Sequence, residues 1–209
     1  MSQRALLLFG HADPQQTFNH DLAERYERGL LRAGAQVDRI DLATLSFDPV
    51  LHAGYRAVQP LEPDLQRVQR AIERASHLAW VFPIYWASPP TLVRGLIDRL
   101  FLPRWAFRYE QGSALPQGLL AGRSARVIMT MDSPGWWYTG VNHRCVHRSF
   151  GTATLSFCGL KPVRFTTVHD VHHLSERARA AWAAKLETIG ANDGRARLEP
   201  GVRELSASS

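Results

Sequence analysis

Ala5-Leu6-Leu7-Leu8-Phe9, closed by Gly10, is an apolar run with no polar residue in it. A strand with one wet face alternates apolar and polar residues, so an unbroken run predicts a strand buried on both faces. Leu78-Ala79-Trp80-Val81-Phe82, halted by Pro83, repeats the pattern. Ala125 to Met131, centred on Val127-Ile128-Met129, predicts another strand. Val37 to Leu42, with Val37 and Ile40 apolar, and Val163 to Val168 bring the number to five.

Helical spacing fills the gaps. Phe18 to Ala33 places Leu22, Tyr26, Leu30 and Leu31 on one face, and Gly34 sits where a C-cap glycine belongs. Leu65 to Ala75 continues through Val68 and Ile72. Pro89 and Pro90 open a helix with Leu92, Leu96, Ile97, Leu100 and Phe101 on its apolar face; proline is tolerated in a first turn, whose amides lack helical partners. A helix is expected over Val141 to Phe157, and an Ala-rich one over Ser175 to Ile189 with Ser175 as N-cap. Phe47 to Pro63, with three prolines, reads as an excursion loop.

Five alternations of strand and helix predict an α/β domain with a parallel sheet covered on both faces. We expect one domain over residues 1–191 and a polar, solvated tail over 192–209, where Arg195, Arg197 and Arg203 mix with Asp193, Glu199 and Glu204. Ligands of such sheets bind at the carboxyl ends of the strands, where strand order reverses. The chemistry is therefore expected in the loops after Phe9, Phe82 and Met131.

Composition narrows the classes. The chain has 209 residues, 45% of them hydrophobic, enough for a core without disulfide or metal staples. Its net charge of +6 is spread over amphipathic helices rather than massed in a run, so no nucleic-acid partner is expected. Cys145 and Cys158 are too few for a disulfide scaffold and read as reduced thiols. No apolar run approaches the roughly 20 residues of a spanning helix, and Met1 to Arg4 carries no leader pattern. Together these predict a cytoplasmic protein with no integral membrane segment. His169-Asp170-Val171-His172-His173 has metal-ligand types, but it follows a strand as a polar loop and no metal is expected.

The first loop, Gly10 to Asn19, leads into a helix start. Free amides and the macrodipole there suit a phosphate; the alternative is that Thr17 only caps the helix. It matches neither the P-loop nor the Gly-x-Gly-x-x-Gly pattern. The second loop, Phe82-Pro83-Ile84-Tyr85-Trp86-Ala87-Ser88-Pro89-Pro90, carries two large aromatics. They either stack on a flat ligand ring or form a small apolar cluster.

Three stretches, in order, carry a family resemblance: His11 through Thr17-Phe18-Asn19; Phe82 to Leu102 with Gly95, Asp98, Arg99 and Phe101, continuing to Trp105-Ala106-Phe107-Arg108-Tyr109; and Thr130 to Tyr138, followed by Phe157-Cys158-Gly159. Over residues 5 to 190 the chain resembles the NAD(P)H:quinone oxidoreductases, which include DT-diaphorase, the bacterial modulators of drug activity and flavoprotein ancillary subunits of potassium-efflux systems. The long middle stretch is the specific one.

The resemblance implies a flavodoxin-like three-layer sandwich with a five-stranded parallel sheet, and a homodimer with flavin at the subunit interface. It implies FAD, with FMN as the alternative, NADH or NADPH as reductant, and a quinone-like planar acceptor. His11, Thr17, Phe18 and Asn19 would hold the flavin phosphate and adjoining groups. Pro83, Ile84, Tyr85 and Trp86 would line the isoalloxazine, and Thr130, Met131, Asp132, Ser133 and Gly135 its polar edge. Tyr138 matches the tyrosine that bonds the flavin's pyrimidine side. A histidine six positions later assists it in DT-diaphorase-like members; that offset gives Arg144, with His143 one short. Either a one-residue gap brings His143 into place, the arrangement we expect, or Arg144 balances the charge.

Asp132 is expected to face out or to accept backbone amides. Trp136 and Trp137 would wall the acceptor pocket or pack in the dimer. The implied function is hydride transfer from NAD(P)H through bound flavin to quinones. The other reading is a flavin-binding regulatory subunit of a potassium-efflux transporter.

Overall fold

A computed structural model describes residues 3–110, 112 and 116–196. Five parallel strands form the main sheet: β1 (Arg4–Phe9), β2 (Gln36–Asp41), β3 (His77–Pro83), β6 (Ser124–Thr130) and β7 (Val163–Val168), in the order β2-β1-β3-β6-β7. A separate two-stranded antiparallel ladder joins β4 (Phe107–Arg108) to β5 (Gln117–Gly118). The apolar patterning follows position in the sheet. The inner β3 and β6 are buried at every residue, and β1 at every residue after Arg4. The edge strands β2 and β7 are only partly covered. Unbroken apolar runs therefore mark strands sandwiched between helices.

Helices α1 (Phe18–Arg32) and α5 (Glu176–Arg195) cover one face, packing Leu22, Tyr26, Leu30 and Leu186 on Leu7, Phe9, Ala79 and Val81. The two helices touch backbone to backbone: a Cβ on Gly29 would strike the carbonyl of Glu187, and one on Gly190 that of Tyr26. Helices α2 (Pro63–Arg74) and α3 (Thr91–Leu100) cover the other face around Leu6, Leu8, Trp80 and Phe82. Each such side chain, fully buried, contributes about 1.5–3 kcal/mol. Buried Arg99 pins the excursion loop, donating to both Glu62 oxygens at 3.0 and 2.8 Å and to the carbonyls of Pro60 and Asp48.

Two expected boundaries shift. The helix expected over 141–157 is shortened to a wider π-helical segment, His147–Ser156, and a separate short helix, α4 (Gly135–Gly140), precedes it. Left-handed His143 (φ 48°) and Arg144 (φ 51°) interrupt them, so no single 3.6-residue period spans the region. The expected tail also begins too early. Helix α5 continues to Arg195, and Asp193 is 4% exposed.

Asp193 is buried because it completes a polar chain at the amino ends of the strands. Arg126 donates to its two oxygens at 2.7 and 2.8 Å, and the Tyr26 hydroxyl donates at 2.9 Å. Tyr26 Oη meets His77 Nε2 at 2.8 Å, and His77 Nδ1 meets Ser124 Oγ at 2.8 Å. One assignment satisfies every member: Ser124 donates to Nδ1, neutral His77 donates from Nε2, and Tyr26 donates to Asp193. Burial opposes the charge on Asp193, yet the bonds from Arg126 outweigh it and hold the carboxyl below its usual range. Burial lowers His77 to about 4. A polar sequence thus signalled an internal ion pair, not a solvated end. The charges expected at Arg197, Arg203, Glu199 and Glu204 lie outside the described residues.

Candidate active site

The sheet order reverses between β1 and β3, so the loops after them flank the crevice predicted for ligands. After β1, Thr17 opens α1 as its N-cap, and its N–H donates to His20 Nδ1 at 3.1 Å. His11 Nδ1 accepts from the amide of Asp13 at 3.1 Å, which folds the loop back. The rings of His11 and His20 lie 5.7 Å apart, and burial, then His20, holds His11 below the usual imidazole range. The amides of Gln16, Phe18 and Asn19 have no acceptor among the described residues. At the start of a 15-residue helix they form a donor set for an anion.

The side chain of Asn19 points inward. Its Nδ2 donates to Thr130 Oγ1 at 3.0 Å, tying α1 to the end of β6 across 111 residues of sequence. Asn19 and Thr130 therefore hold the two loops together at the site. Phe18 carries the guanidinium of Arg179 above its ring at 5.0 Å. Arg179 is held there by the carbonyls of Val171 and Leu174. It is a cation at the candidate phosphate site that the sequence reading missed.

After β3, Tyr85 and Ser88 exchange backbone hydrogen bonds at 3.0 and 2.9 Å, closing a two-residue turn. Trp86 (φ 49°) and Ala87 (φ 58°) are both left-handed at its tip. Turns of this kind ordinarily take glycine or asparagine. Trp86 is 100% exposed, so the strained turn holds an indole entirely free of its own chain. The apolar-cluster alternative for Trp86 is thereby removed.

A cavity of about 420 Å³ opens beside the turn, between Ile84, Trp86 and Ala87 on one side and Met131, Asp132, Ser133 and Tyr138 on the other. Trp137 and Asn142 also border it. The expected residues Ile84, Trp86, Met131, Asp132 and Ser133 thus come together. Pro83 and Thr130 are register partners buried beneath it, while Tyr85 and Gly135 stand outside its lining. Asp132 accepts the amide of His172 at 3.0 Å, which ties its loop to the one after β7 rather than shaping its own turn. The N–H groups of Asp132 and Ser133 have no acceptor among the described residues.

Tyr138 is buried at the cavity wall, and its partner is neither His143 nor Arg144. The hydroxyl meets Nδ1 of His147, nine positions on, at 3.0 Å. The His147 ring stacks on Phe165 at 4.0 Å between centroids, and His169 packs beside the Tyr138 ring at 5.7 Å. His143 and Arg144 are exposed. Their left-handed conformations turn the chain outward, and the π-helical segment then carries His147 back to the tyrosine. Burial pushes the Tyr138 phenol up to about 12. Burial, followed by Arg144 and His169, holds His147 below the usual imidazole range. Both are therefore neutral at pH 7. If Nδ1 of His147 bears the proton, it donates to the phenol oxygen and frees the O–H for a ligand.

The two strained turns touch. Cys145 Sγ lies 3.0 Å from the carbonyl of Ala87 and donates to it. The histidines at 169–173 form no metal group: among the described residues, no cluster of three or more His, Cys, Asp or Glu could hold an ion.

The family described as the flavodoxin-like fold matches residues 3–191. The chain belongs to this family. Among curated proteins, this flavodoxin-like chain is 25% identical over 185 residues to an uncharacterized NAD(P)H oxidoreductase of Haemophilus influenzae, covering 84% of this chain and 88% of the relative. It is 27% identical over 215 residues to the ribosyldihydronicotinamide dehydrogenase [quinone] of Pongo abelii, covering 90% and 92%. The solved structure of an NAD(P)H:quinone oxidoreductase from Methanothermobacter marburgensis superposes with a TM-score of 0.77 at 20% identity, covering 92% of this chain and 99% of that one. That likeness confirms the fold, and the strand order agrees with it.

Proposed function

We propose that this protein is a flavin-dependent NAD(P)H:quinone oxidoreductase. The observation that carries the reading is the 420 Å³ cavity with the free Trp86 indole on one side and the buried Tyr138–His147 pair on the other. Curated relatives along most of the chain are oxidoreductases by name, which favours the enzyme over a regulatory transporter subunit.

The residues fit a flavin at three places. Free amides at Gln16, Phe18 and Asn19, with His11 alongside, suit a phosphate. The Trp86 indole offers a face to a flat ring. The amides of Asp132 and Ser133 offer donors to its polar edge. A bound flavin supplies the hydride chemistry, from reduced nicotinamide to acceptor.

The chain's own residues supply position and charge. Tyr138, backed by His147, presents a preorganised donor where negative charge develops on reduction. The deep burial of the phenol keeps its proton in place at neutral pH. Ile84 and Met131 give the cavity an apolar lining, and Trp137 on the same lining suits a planar acceptor such as a quinone. The Thr17-Phe18-Asn19 turn favours FAD, with FMN as the alternative. The protein acts as a homodimer with flavin at the interface, a reading supported by exposed Trp86, Tyr109, Trp136 and Trp137. It works in the cytoplasm, where the free thiols of Cys145 and Cys158 stay reduced. No helix among the described residues is long and apolar enough to cross a membrane.

The test is purification with bound flavin, chromatographic identification of the released cofactor, and NAD(P)H-dependent reduction of a benzoquinone by the holoprotein. A colourless protein that neither binds added flavin nor reduces quinone would remove the proposal.

A further inference from the structure

Asn142 borders two depressions. One is the cavity; the other is a shallower groove of about 560 Å³ lined by His143, Cys145, Arg148, Ser149, Thr152 and Ala153. The groove therefore adjoins the candidate site at this residue. The amide of Arg148 donates to the carbonyl of left-handed Arg144 at 3.2 Å, and of the two arginines it is Arg148 that lines the groove. Both are exposed. Neither forms an ion pair among the described residues, in contrast to Arg94, Arg99 and Arg126.

The local sequence explains why. From Ser133 to His169 there is no aspartate or glutamate, while Arg144, Arg148, Lys161 and Arg164 are all present. Arg164 finds its partner outside the stretch, in Asp193 at 3.9 Å, whereas Arg148, on the lining of the groove, has no ion-pair partner among the described residues.

NADH and NADPH differ by one phosphate on the adenosine ribose. Guanidinium groups bind phosphate through paired, charge-assisted hydrogen bonds, and the hydroxyls of Ser149 and Thr152 are further donors. We propose that this groove is the subsite for the 2′-phosphate of NADPH, with Arg148 as its main contact, so that the protein selects NADPH over NADH. The inference rests on the function proposed above and specifies its reductant.

The selection appears as a ratio of kcat/KM for NADPH to that for NADH of about ten-fold or more at low salt, the order expected for charge-assisted bonds to one phosphate. Raising ionic strength narrows the ratio, because the exposed cations are screened. Arg148→Gln brings the ratio close to one by raising KM for NADPH, with kcat for either coenzyme and KM for NADH unchanged. Titrating the holoprotein with adenosine 2′,5′-bisphosphate and with AMP reads the subsite without turnover, and the bisphosphate binds more tightly only while Arg148 is present. Equal binding of the two nucleotides, or a coenzyme ratio unaltered by Arg148→Gln, overturns the inference. Tight, Arg148-dependent bisphosphate binding in a protein that neither coenzyme reduces would leave the subsite standing and remove the oxidoreductase reading instead.

Discussion

The two ends of the sheet treat polar groups in opposite ways. At the amino ends of the strands, Ser124, His77, Tyr26, Asp193 and Arg126 form a closed chain in which each donor has an acceptor. At the carboxyl ends, the amides of Gln16, Phe18, Asn19, Asp132 and Ser133 have no acceptor among the described residues, and four non-glycine residues in two touching turns are left-handed. The first end holds the fold together. The second retains unspent donors and backbone strain, the pattern expected where a ligand completes the structure.

Cutting the closed end should produce the largest effect. Asp193→Ala leaves Arg126 charged, buried and unpaired, a loss of roughly 3–5 kcal/mol. Urea unfolding measures it, and flavin affinity of the folded fraction should stay unchanged. A loss below 1 kcal/mol would show that the network is solvated and that the contrast between the two ends is overstated.

The same network makes stability depend on acid. His77 stays neutral in the folded protein down to about 4, whereas an unfolded histidine takes its proton near pH 6.5. The unfolded chain therefore binds more protons between these values, and stability falls as pH drops through that window, by up to about 3 kcal/mol. Asp193, held low, adds its own loss at still lower pH. In His77→Gln the slope between pH 6.5 and 4 should flatten, as read from unfolding midpoints across that range.

At the open end the expected effects are on rate and binding. Tyr138→Phe and His147→Ala should each slow flavin reduction in single-turnover experiments, by at most about 10²-fold, since the charge is delocalised. His143→Ala should reduce flavin at the wild-type rate. The reverse order, with His143 essential and His147 dispensable, would mean that the loop rearranges when flavin binds.

The smallest effect concerns the aromatic turn. Trp86→Ala should weaken flavin binding by about 1 kcal/mol through loss of ring stacking, measured by fluorescence titration. Stability should hardly change, because the indole is fully exposed. Unaltered affinity would place the indole in an interface between copies instead.

Much of this was legible in the residues because burial leaves a periodic trace. The runs at Ala5–Phe9, Leu78–Phe82 and Ala125–Met131 announced the inner strands, and their order along the chain pointed to the loops where the cavity lies. The aromatic pair after Pro83 and Tyr138 at the end of the third loop were visible for the same reason: they depart from the pattern of their surroundings. Polar pairing leaves no such trace. Nothing local to Asp193 signals Arg126, nothing near Asn19 signals Thr130, and Arg179 reaches Phe18 only because α5 packs beside α1. The choice of His147 over His143 depended on two left-handed residues and a wider helix, which break the period that counting along the sequence assumes. The sequence by itself thus determined the layers, the strands and the edge that carries the site. Only the tertiary structure decided which polar side chains meet, because those partners are joined through space by packing rather than by spacing along the chain.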